Sequence, residues 1–160
     1  MSIRLSRDEA WEVLRTTHTG IFTSLKADGT PIALPVWFAA LDERIYLDAV
    51  ATTKKVARVR RNARVSFLVE SGERWRDLRG VLVTGQARIV DDDALVERVH
   101  AAIGEKYAGF SGDRPAMPPE SRAHYEREHL VIEIEPDERI LSWDNARIPL
   151  SPPSDTGDDS

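Results

Sequence analysis

The chain has no cysteine in its 160 residues. This absence excludes disulfide bridges, zinc–thiolate sites, iron–sulfur clusters and thiol nucleophiles, and it favours a reducing compartment. Long apolar runs are missing as well, and the stretch from Met1 to Ala10 alternates apolar and charged residues instead of forming a secretory leader. We therefore expect a cytoplasmic protein that has no membrane partner.

The signatures of several common enzyme classes are also absent. The glycine-rich dinucleotide fingerprint, the phosphate-binding loop of nucleotide hydrolases and the GxSxG and HExxH motifs do not occur. The histidines are scattered, and the one close pair is spaced so that its two rings do not share a helix face. We therefore predict no metal site and assign no catalytic acid or base.

Negatively charged residues are missing from one stretch of the chain. The formal net charge is −5, yet Ala49 to Val69 contains no acidic residue. This stretch carries six basic side chains, which are Lys54, Lys55, Arg58, Arg60, Arg61 and Arg64. A single basic segment in an acidic protein suits a small anionic ligand better than nucleic acid, so we expect no nucleic-acid partner.

The apolar pattern predicts one domain over residues 1–148, followed by an acidic tail over 149–160 with the composition of disorder. A capping box of Ser6 and Glu9 predicts a first helix to about Thr17. Strands are expected at Gly20–Leu25, Ile32–Leu41, Ile45–Val50, Arg64–Glu70, Leu78–Val90, Leu130–Glu135 and Arg139–Trp143. A helix opens at residues 91–93, residues 108–119 form a loop, and a short helix covers residues 120–128. Roughly six or seven antiparallel strands with one crossover helix indicate a mainly-β, α+β fold: a closed or partly closed barrel with flanking helices.

The basic segment lies at a predicted strand-to-helix turn. Thr52 or Thr53 is expected to cap a helix that runs through Arg61 with its basic side chains mostly outward, and Asn62 to end it in a left-handed conformation. Free backbone N–H groups, hydroxyls and ammonium groups would then point toward one place, which suits a phosphate. The alternative is a solvated basic helix face.

Five other residues carry expectations. Trp37 lies in a predicted strand, where a tryptophan is more often a core residue than the wall of a ring-binding pocket. Glu133 is two residues before Glu135 in another strand, so both are expected to face solvent. Gly80 and Gly85 interrupt the longest strand and predict bends or bulges.

The order of these elements resembles a known family. The stretches that carry the resemblance are Asp28-Gly29-Thr30-Pro31, Val36-Trp37-Phe38, Thr53-Lys54-Lys55, Val59 to Phe67, Leu78 to Val81, Gly85-Gln86-Ala87 and Ser142-Trp143-Asp144. Together they are similar to the pyridoxamine 5′-phosphate oxidase-like FMN-binding split barrels, and most similar to the flavin/deazaflavin (F420)-dependent oxidoreductases of group B. The resemblance covers roughly residues 5–148.

This resemblance implies a homodimer with two cofactors at the subunit interface. Thr53, Lys54 and Lys55 match the positions that hold the cofactor phosphate, where oxidase members have a serine–arginine–lysine run. Pro35, Val36 and Trp37 match the strand that runs beneath the ring and linker of the cofactor. Val50 matches a backbone contact near the ring, and Arg79 matches a side chain that reaches the cofactor of the other subunit.

The resemblance also implies an activity. We expect an oxidoreductase that transfers hydride between coenzyme F420 and an unsaturated or heteroaromatic small molecule, with FMN as the alternative cofactor. The C-terminal Trp143 to Arg147 does not match the substrate-binding pattern of the vitamin B6 oxidases, so that reaction is not expected. The sequence also leaves open a non-catalytic flavin, deazaflavin or haem binding protein, and a structural barrel without a ligand.

Overall fold

The structure is a computed structural model that describes residues 2–112, 117–125 and 127–151. Most of the predicted acidic tail, and residues 113–116 of the predicted loop, lie outside this part. The helices are α1 (Arg7–Thr16), α2 (Lys54–Arg61), α3 (Asp93–Lys106) and α4 (Pro119–Tyr125), with 3₁₀ turns at Trp75–Asp77 and Asn145–Arg147. The strands are β1 (Gly20–Leu25), β2 (Pro31–Val36), β3 (Ala39–Leu41), β4 (Arg44–Val50), β5 (Arg64–Ser71), β6 (Arg79–Ile89), β7 (His129–Pro136) and β8 (Leu141–Asp144).

The strands form one antiparallel sheet in the order β2-β1-β5-β6-β7-β4-β3, and β8 also pairs with β6. The predicted strand over Ile32–Leu41 is two strands, because the chain leaves β1 after Val36 and joins β4 at Ala39. Two intervening residues span only about 7–11 Å. Since β2 and β3 are the opposite ends of the strand order, the sheet must curl until its ends meet. The predicted split barrel is confirmed.

Local sequence explains the ends of several elements. The predicted capping box at α1 is present, because the Glu9 N–H donates to Ser6 Oγ (3.2 Å) and the Ser6 N–H donates to Glu9 Oε2 (2.7 Å). Asp42 and Glu43 have φ of 51° and 55°, as a two-residue hairpin turn between β3 and β4 requires. Asn62, however, ends α2 with φ −141°, so its predicted left-handed conformation is wrong. Its side-chain oxygen instead accepts a hydrogen bond from the Arg64 N–H (3.0 Å).

The barrel interior holds the main core, which includes Trp11, Phe22, Phe38 and Phe67. A second apolar cluster lies on the outer face of β4 and β7, where Val99 of α3 packs against Tyr46 and Val131. This arrangement explains why β4 is buried on both faces. Among the described residues, no helix is both long enough and apolar enough to cross a lipid bilayer.

The prediction that Glu133 faces solvent is wrong, since this residue is 5% exposed. Its carboxylate accepts hydrogen bonds from the Tyr46 hydroxyl (2.9 Å) and from Arg88 Nε (2.8 Å). Burial raises the pKa of Glu133, but the hydrogen bonds from Arg88 and Tyr46 outweigh it and the net pKa is lowered. Burial, and then the bond to Glu133, raise the pKa of Tyr46 to about 12. These two hydrogen bonds allow the ionised Glu133 carboxylate to be buried.

Gly80 and Gly85 do not mark bulges, because the β5–β6 register is continuous from Arg64 to Ser71. They are instead places of close approach. A Cβ on Gly80 would lie 2.3 Å from the Trp143 ring, and one on Gly85 would lie 2.2 Å from the Glu135 carbonyl oxygen. The two glycines therefore let β8 and β7 pack closely against β6.

Candidate functional site

The segment from the end of β4 to the start of α2 contains Val50 and the three predicted phosphate-binding residues, Thr53, Lys54 and Lys55. Thr53 is the N-cap residue of α2, as predicted, but its side chain makes no capping hydrogen bond. The Thr53 hydroxyl instead donates to the Val50 carbonyl (2.8 Å). The N-cap side chain therefore leaves the first N–H groups of α2 uncapped within the described part of the chain, and such a helix end attracts an anion.

Lys55 lies on the first turn of α2 and is half-buried. Burial, and then repulsion from Arg58, lower the pKa of its ammonium group, while Asp48 acts in the opposite direction. Lys54, beside it, is exposed. An anion at this helix end would compensate the charge of Lys55, because opposite charges favour the ionised amine.

The other basic side chains of the segment do not form a single solvent-exposed surface. Arg58 is only 8% exposed, and its Nε donates to the buried Ser24 hydroxyl (2.8 Å). The Arg64 guanidinium forms a bidentate ion pair with the Asp137 carboxylate, with N–O distances of 3.0 and 2.9 Å. The prediction of mostly outward side chains is thus wrong for Arg58, because α2 packs against β1 on that side. Arg60 and Arg61 are exposed as expected.

A groove of about 490 Å³ runs between α2 and the turn that joins β1 to β2. Its lining consists of four basic residues and three apolar ones, which are Lys26, Lys54, Arg58, Arg61, Ala27, Ile32 and Ala57. The groove therefore extends positive charge from the start of α2 along the side of that helix.

The second group of predicted site residues lies at the end of β2, an edge strand that pairs with β1. On β2, Pro35 is exposed and Val36 is half-buried, and Trp37, the residue after the strand, is exposed. Trp37 is 42% exposed, so its interpretation as a core residue is wrong. Its ring stacks on Tyr107 with centroids 4.3 Å apart, which leaves the opposite ring face available.

Tyr107 holds the bend between β2 and β3. Its hydroxyl accepts a hydrogen bond from the Phe38 N–H (3.0 Å) and donates to the His18 carbonyl (2.6 Å). Nothing in the sequence marks this residue, because a tyrosine at the end of an amphipathic helix is ordinarily a packing residue. Tyr107 nevertheless sets where Trp37 lies.

Arg79 is not brought close to α2 within one chain. It pairs with Ser71, at the end of β5 remote from α2, and the eight residues from Arg64 to Ser71 span about 23 Å, seven steps of about 3.3 Å. Arg79 Nε is buried and has no hydrogen-bond partner among the described residues. A buried donor of this kind normally has an acceptor.

The histidines of the described residues make other contacts. His100 Nε2 and His129 Nδ1 lie 3.0 and 2.7 Å from the two carboxylate oxygens of Asp48, which is a residue of β4. Within the described part of the chain, no group of three or more histidine and acidic side chains has the geometry to hold a metal ion. The Asp48 cluster was not predicted, because its members are distant in sequence.

These features define a split-barrel protein with a basic helix end and an exposed aromatic ring at the sheet edge. The model of the pyridoxamine 5′-phosphate oxidase family matches residues 6–141. The chain belongs to that family, as the resemblance implied. No functionally curated protein matches it.

Solved structures agree on the fold. A conserved hypothetical protein from Mycobacterium tuberculosis is 29% identical with a TM-score of 0.77, and the match covers 94% of this chain and 92% of that one. An FAD-binding protein from Mesorhizobium loti is 21% identical with a TM-score of 0.65, covering 86% and 93%. An F420 reductase is 21% identical with a TM-score of 0.58, covering 81% and 94%. The last two likenesses establish the shared fold.

Proposed function

We propose that this protein is a homodimeric oxidoreductase that binds a flavin-type cofactor, with F420 preferred over FMN. The observation that carries the proposal is the turn from β4 into α2. There, uncapped N–H groups and the half-buried Lys55 form one anion-binding place. Membership of the pyridoxamine 5′-phosphate oxidase family supports the choice of a flavin-type ligand.

The residues present fit such a cofactor. Thr53, Lys54 and Lys55 would hold its phosphate, since Lys55 lacks a carboxylate partner within ion-pair distance in the described part of the chain. Lysine acts as a point charge and not as a planar fork, so the helix N–H groups would supply the directional contacts. Val50 would contribute a backbone contact near the ring.

The edge strand fits the ring and its linker. Pro35, Val36 and Trp37 would lie beneath them, because the free face of Trp37 offers a stacking surface for a flat ring. The bound cofactor would supply hydride transfer, while the protein orients the ring and tunes its charge. The described residues suggest no general acid or base, and we assign none.

The homodimer is supported by an exposed apolar edge. Leu34 on β2 and Trp37, just after that strand, are 39% and 42% exposed. A second copy would cover this edge. By the resemblance, the Arg79 side chain would reach the cofactor held by that copy.

F420 is preferred over FMN because the basic surface extends beyond a single phosphate. Lys54, Arg58 and Arg61 continue along the groove beside α2. The deazaflavin carries an acidic oligoglutamate tail, and FMN does not. Extended positive charge favours the ligand that has more negative groups.

The test supplies purified protein with reduced F420 and a panel of unsaturated and heteroaromatic acceptors, and follows cofactor oxidation by absorbance. We expect oxidation with at least one acceptor, and weaker activity with reduced FMN. Saturable binding without oxidation of either cofactor would indicate a non-catalytic carrier. No response to F420, FMN or haemin in binding would indicate a structural barrel and contradict the proposal.

A further inference from the structure

Asp48, on β4, has a histidine on each of its two carboxylate oxygens. His100 Nε2, from α3, lies 3.0 Å from Oδ1, and His129 Nδ1, from β7, lies 2.7 Å from Oδ2. An ionised carboxylate only accepts hydrogen bonds, so each of these two ring nitrogens carries a proton. The three side chains therefore form one titratable group, the Asp48 cluster.

The Asp48 cluster lies beside the segment that leads from β4 into α2. Val50 follows Asp48 by two residues on the same strand, so both side chains are on the same face of the sheet. His129 pairs with Val50 across the ladder of β4 and β7. The Ala51 N–H donates to the Glu128 carbonyl (2.9 Å). The start of β7 is therefore attached to the segment that contains the proposed anion-binding place.

The Asp48 carboxylate also acts on Lys55, the half-buried lysine of that place. Burial, and then repulsion from Arg58, lower the pKa of Lys55, and the Asp48 carboxylate opposes both effects. A negative charge that attracts the Lys55 ammonium group repels an anion bound beside it. Asp48 therefore works against the binding of a phosphate at the start of α2.

Other charged side chains border the histidines of the cluster. On α3, Glu97 lies one turn before His100, and in the chain Glu128 directly precedes His129. Both glutamates are exposed, so water and salt screen their charges. The Asp48 side chain is 31% exposed, and its charge is less screened than theirs.

The net charge of the Asp48 cluster depends on pH. When both imidazoles are neutral, the cluster carries the single negative charge of Asp48. When both are protonated, it carries a single positive charge. An imidazole ordinarily titrates near pH 6.5, so the charge changes sign between about pH 8 and pH 5. A negative cluster beside the start of α2 opposes the binding of an anion, and a positive cluster favours it.

We propose that the Asp48 cluster makes anion binding at the start of α2 depend on pH, so that the phosphate of the cofactor is held more tightly at pH 6 than at pH 7.5. This inference rests on the proposed function for the identity of the anion. Because linkage is reciprocal, binding of the anion also favours protonation of the two histidines. Acidification therefore retains the cofactor, and alkaline conditions favour its release.

Inorganic sulfate is the first probe. Sulfate stays doubly charged from pH 6 to pH 7.5, whereas a phosphate monoester such as that of FMN itself titrates near pH 6. Binding is followed through the backbone amide signals of α2 in NMR spectra, with the ionic strength held constant by sodium chloride. We expect the wild type to bind sulfate about threefold to tenfold more tightly at pH 6 than at pH 7.5.

Histidine variants show whether the pH dependence comes from the Asp48 cluster. His100→Gln removes one titrating group at a position whose side chain is 44% exposed, so the fold is preserved. His129→Gln removes the other. Each variant is expected to lose part of the pH dependence. His18→Gln is the matched control, because the His18 ring packs against Tyr107 and Phe110, and it should keep the full dependence. Thermal unfolding of each variant confirms that it is folded.

Asp48→Asn distinguishes an effect of charge from a structural role. This variant removes the carboxylate that opposes the anion, so we expect it to bind sulfate about twofold to fivefold more tightly than the wild type at pH 7.5. A structural role predicts weaker binding instead, and that result overturns the inference. So does sulfate affinity of the wild type that is equal at both pH values, absence of sulfate binding, or a pH dependence that both histidine variants retain in full.

Cofactor binding separates this inference from the proposed function. F420 and FMN are titrated into the wild type and into the histidine variants at pH 6 and pH 7.5. If neither cofactor binds but sulfate shows the expected pattern, the proposed function fails and the pH dependence of the anion-binding place stands. If a cofactor binds but the histidine variants match His18→Gln with sulfate at both pH values, the pH dependence is refuted and the proposed function stands.

Discussion

Lys106, at the end of α3, is a buried amine without a hydrogen-bond partner among the described residues. Its Nζ lies 3.7 Å from the centroid of the Phe38 ring, which contributes a cation–π contact. Burial lowers its pKa to about 8. An ordinary lysine in an unfolded chain titrates at about 10.4.

This difference predicts a pH dependence of stability. Between about pH 8 and 10.4 the unfolded chain keeps a proton that the folded protein has lost, so the free energy of unfolding rises with pH in that window. Below pH 8 both states are protonated, and the cost of burying the charge is fully present. We expect Lys106→Met to have a higher free energy of unfolding than the wild type at pH 7. We also expect the free energy of unfolding of this variant to rise less with pH between about pH 8 and 10.4.

Unfolding midpoints from pH 7 to pH 10, measured by circular dichroism, test the prediction. Lys54→Met is the control, because it makes the same change at an exposed position. Parallel profiles for the wild type and Lys106→Met would show that the amine is not buried as described.

At the scale of elements, the seam between β6 and β8 depends on Gly80. A Cβ there would lie 2.3 Å from Trp143 Cζ2, so Gly80→Ala must displace the ring or the strand and is expected to cost about 1–3 kcal/mol. Gly104→Ala is the matched control in α3, where an added Cβ meets nothing within 4 Å. Gly104→Ala is expected to stabilise the folded protein by about 0.5–1 kcal/mol, because alanine has a higher helix propensity than glycine. Urea unfolding at constant m-value measures both, and a neutral Gly80→Ala would argue against this packing.

The elements were predictable where local signals are strong. The capping box predicted α1, and alternation bounded by turn residues predicted β1, β4, β5 and β6. The break between β2 and β3 was not predictable, because Val36 to Ala40 is apolar throughout and contains no turn residue. Closure of the barrel bends the chain there, and the Tyr107 hydroxyl holds the bend through Phe38.

The proposed site residues come from the resemblance more than from pattern. Lys55 and the turn at the start of α2 are visible as a basic segment, yet the burial of Arg58 arises from packing against β1, which composition does not reveal. Glu133 was misjudged for the same reason: alternation identifies its face of the strand but not the Tyr46 and Arg88 side chains that hydrogen-bond to it there. Tertiary packing overrides local pattern in both cases.

At the scale of the whole molecule, the exposed apolar side chains of Leu34 and Trp37 at the sheet edge predict self-association. Sedimentation equilibrium should give about twice the chain mass of 18.0 kDa at micromolar concentration. Leu34→Glu places a charge on the exposed edge strand and is expected to favour the monomer. Leu150→Glu, at a position that is 68% exposed after β8, is the control and should remain dimeric. A monomeric wild type would contradict the proposed assembly.

The central claim is that the start of α2 holds the anionic end of a flavin-type cofactor. Titration of the protein with F420 and with FMN, followed by quenching of tryptophan fluorescence, tests it most directly, because Trp37 lies at the proposed ring position. The account predicts saturable quenching for the wild type, binding about tenfold weaker or worse for Lys55→Ala, and near-normal binding for Arg60→Gln. Equal affinity of Lys55→Ala and the wild type, or no binding of either cofactor, would contradict it.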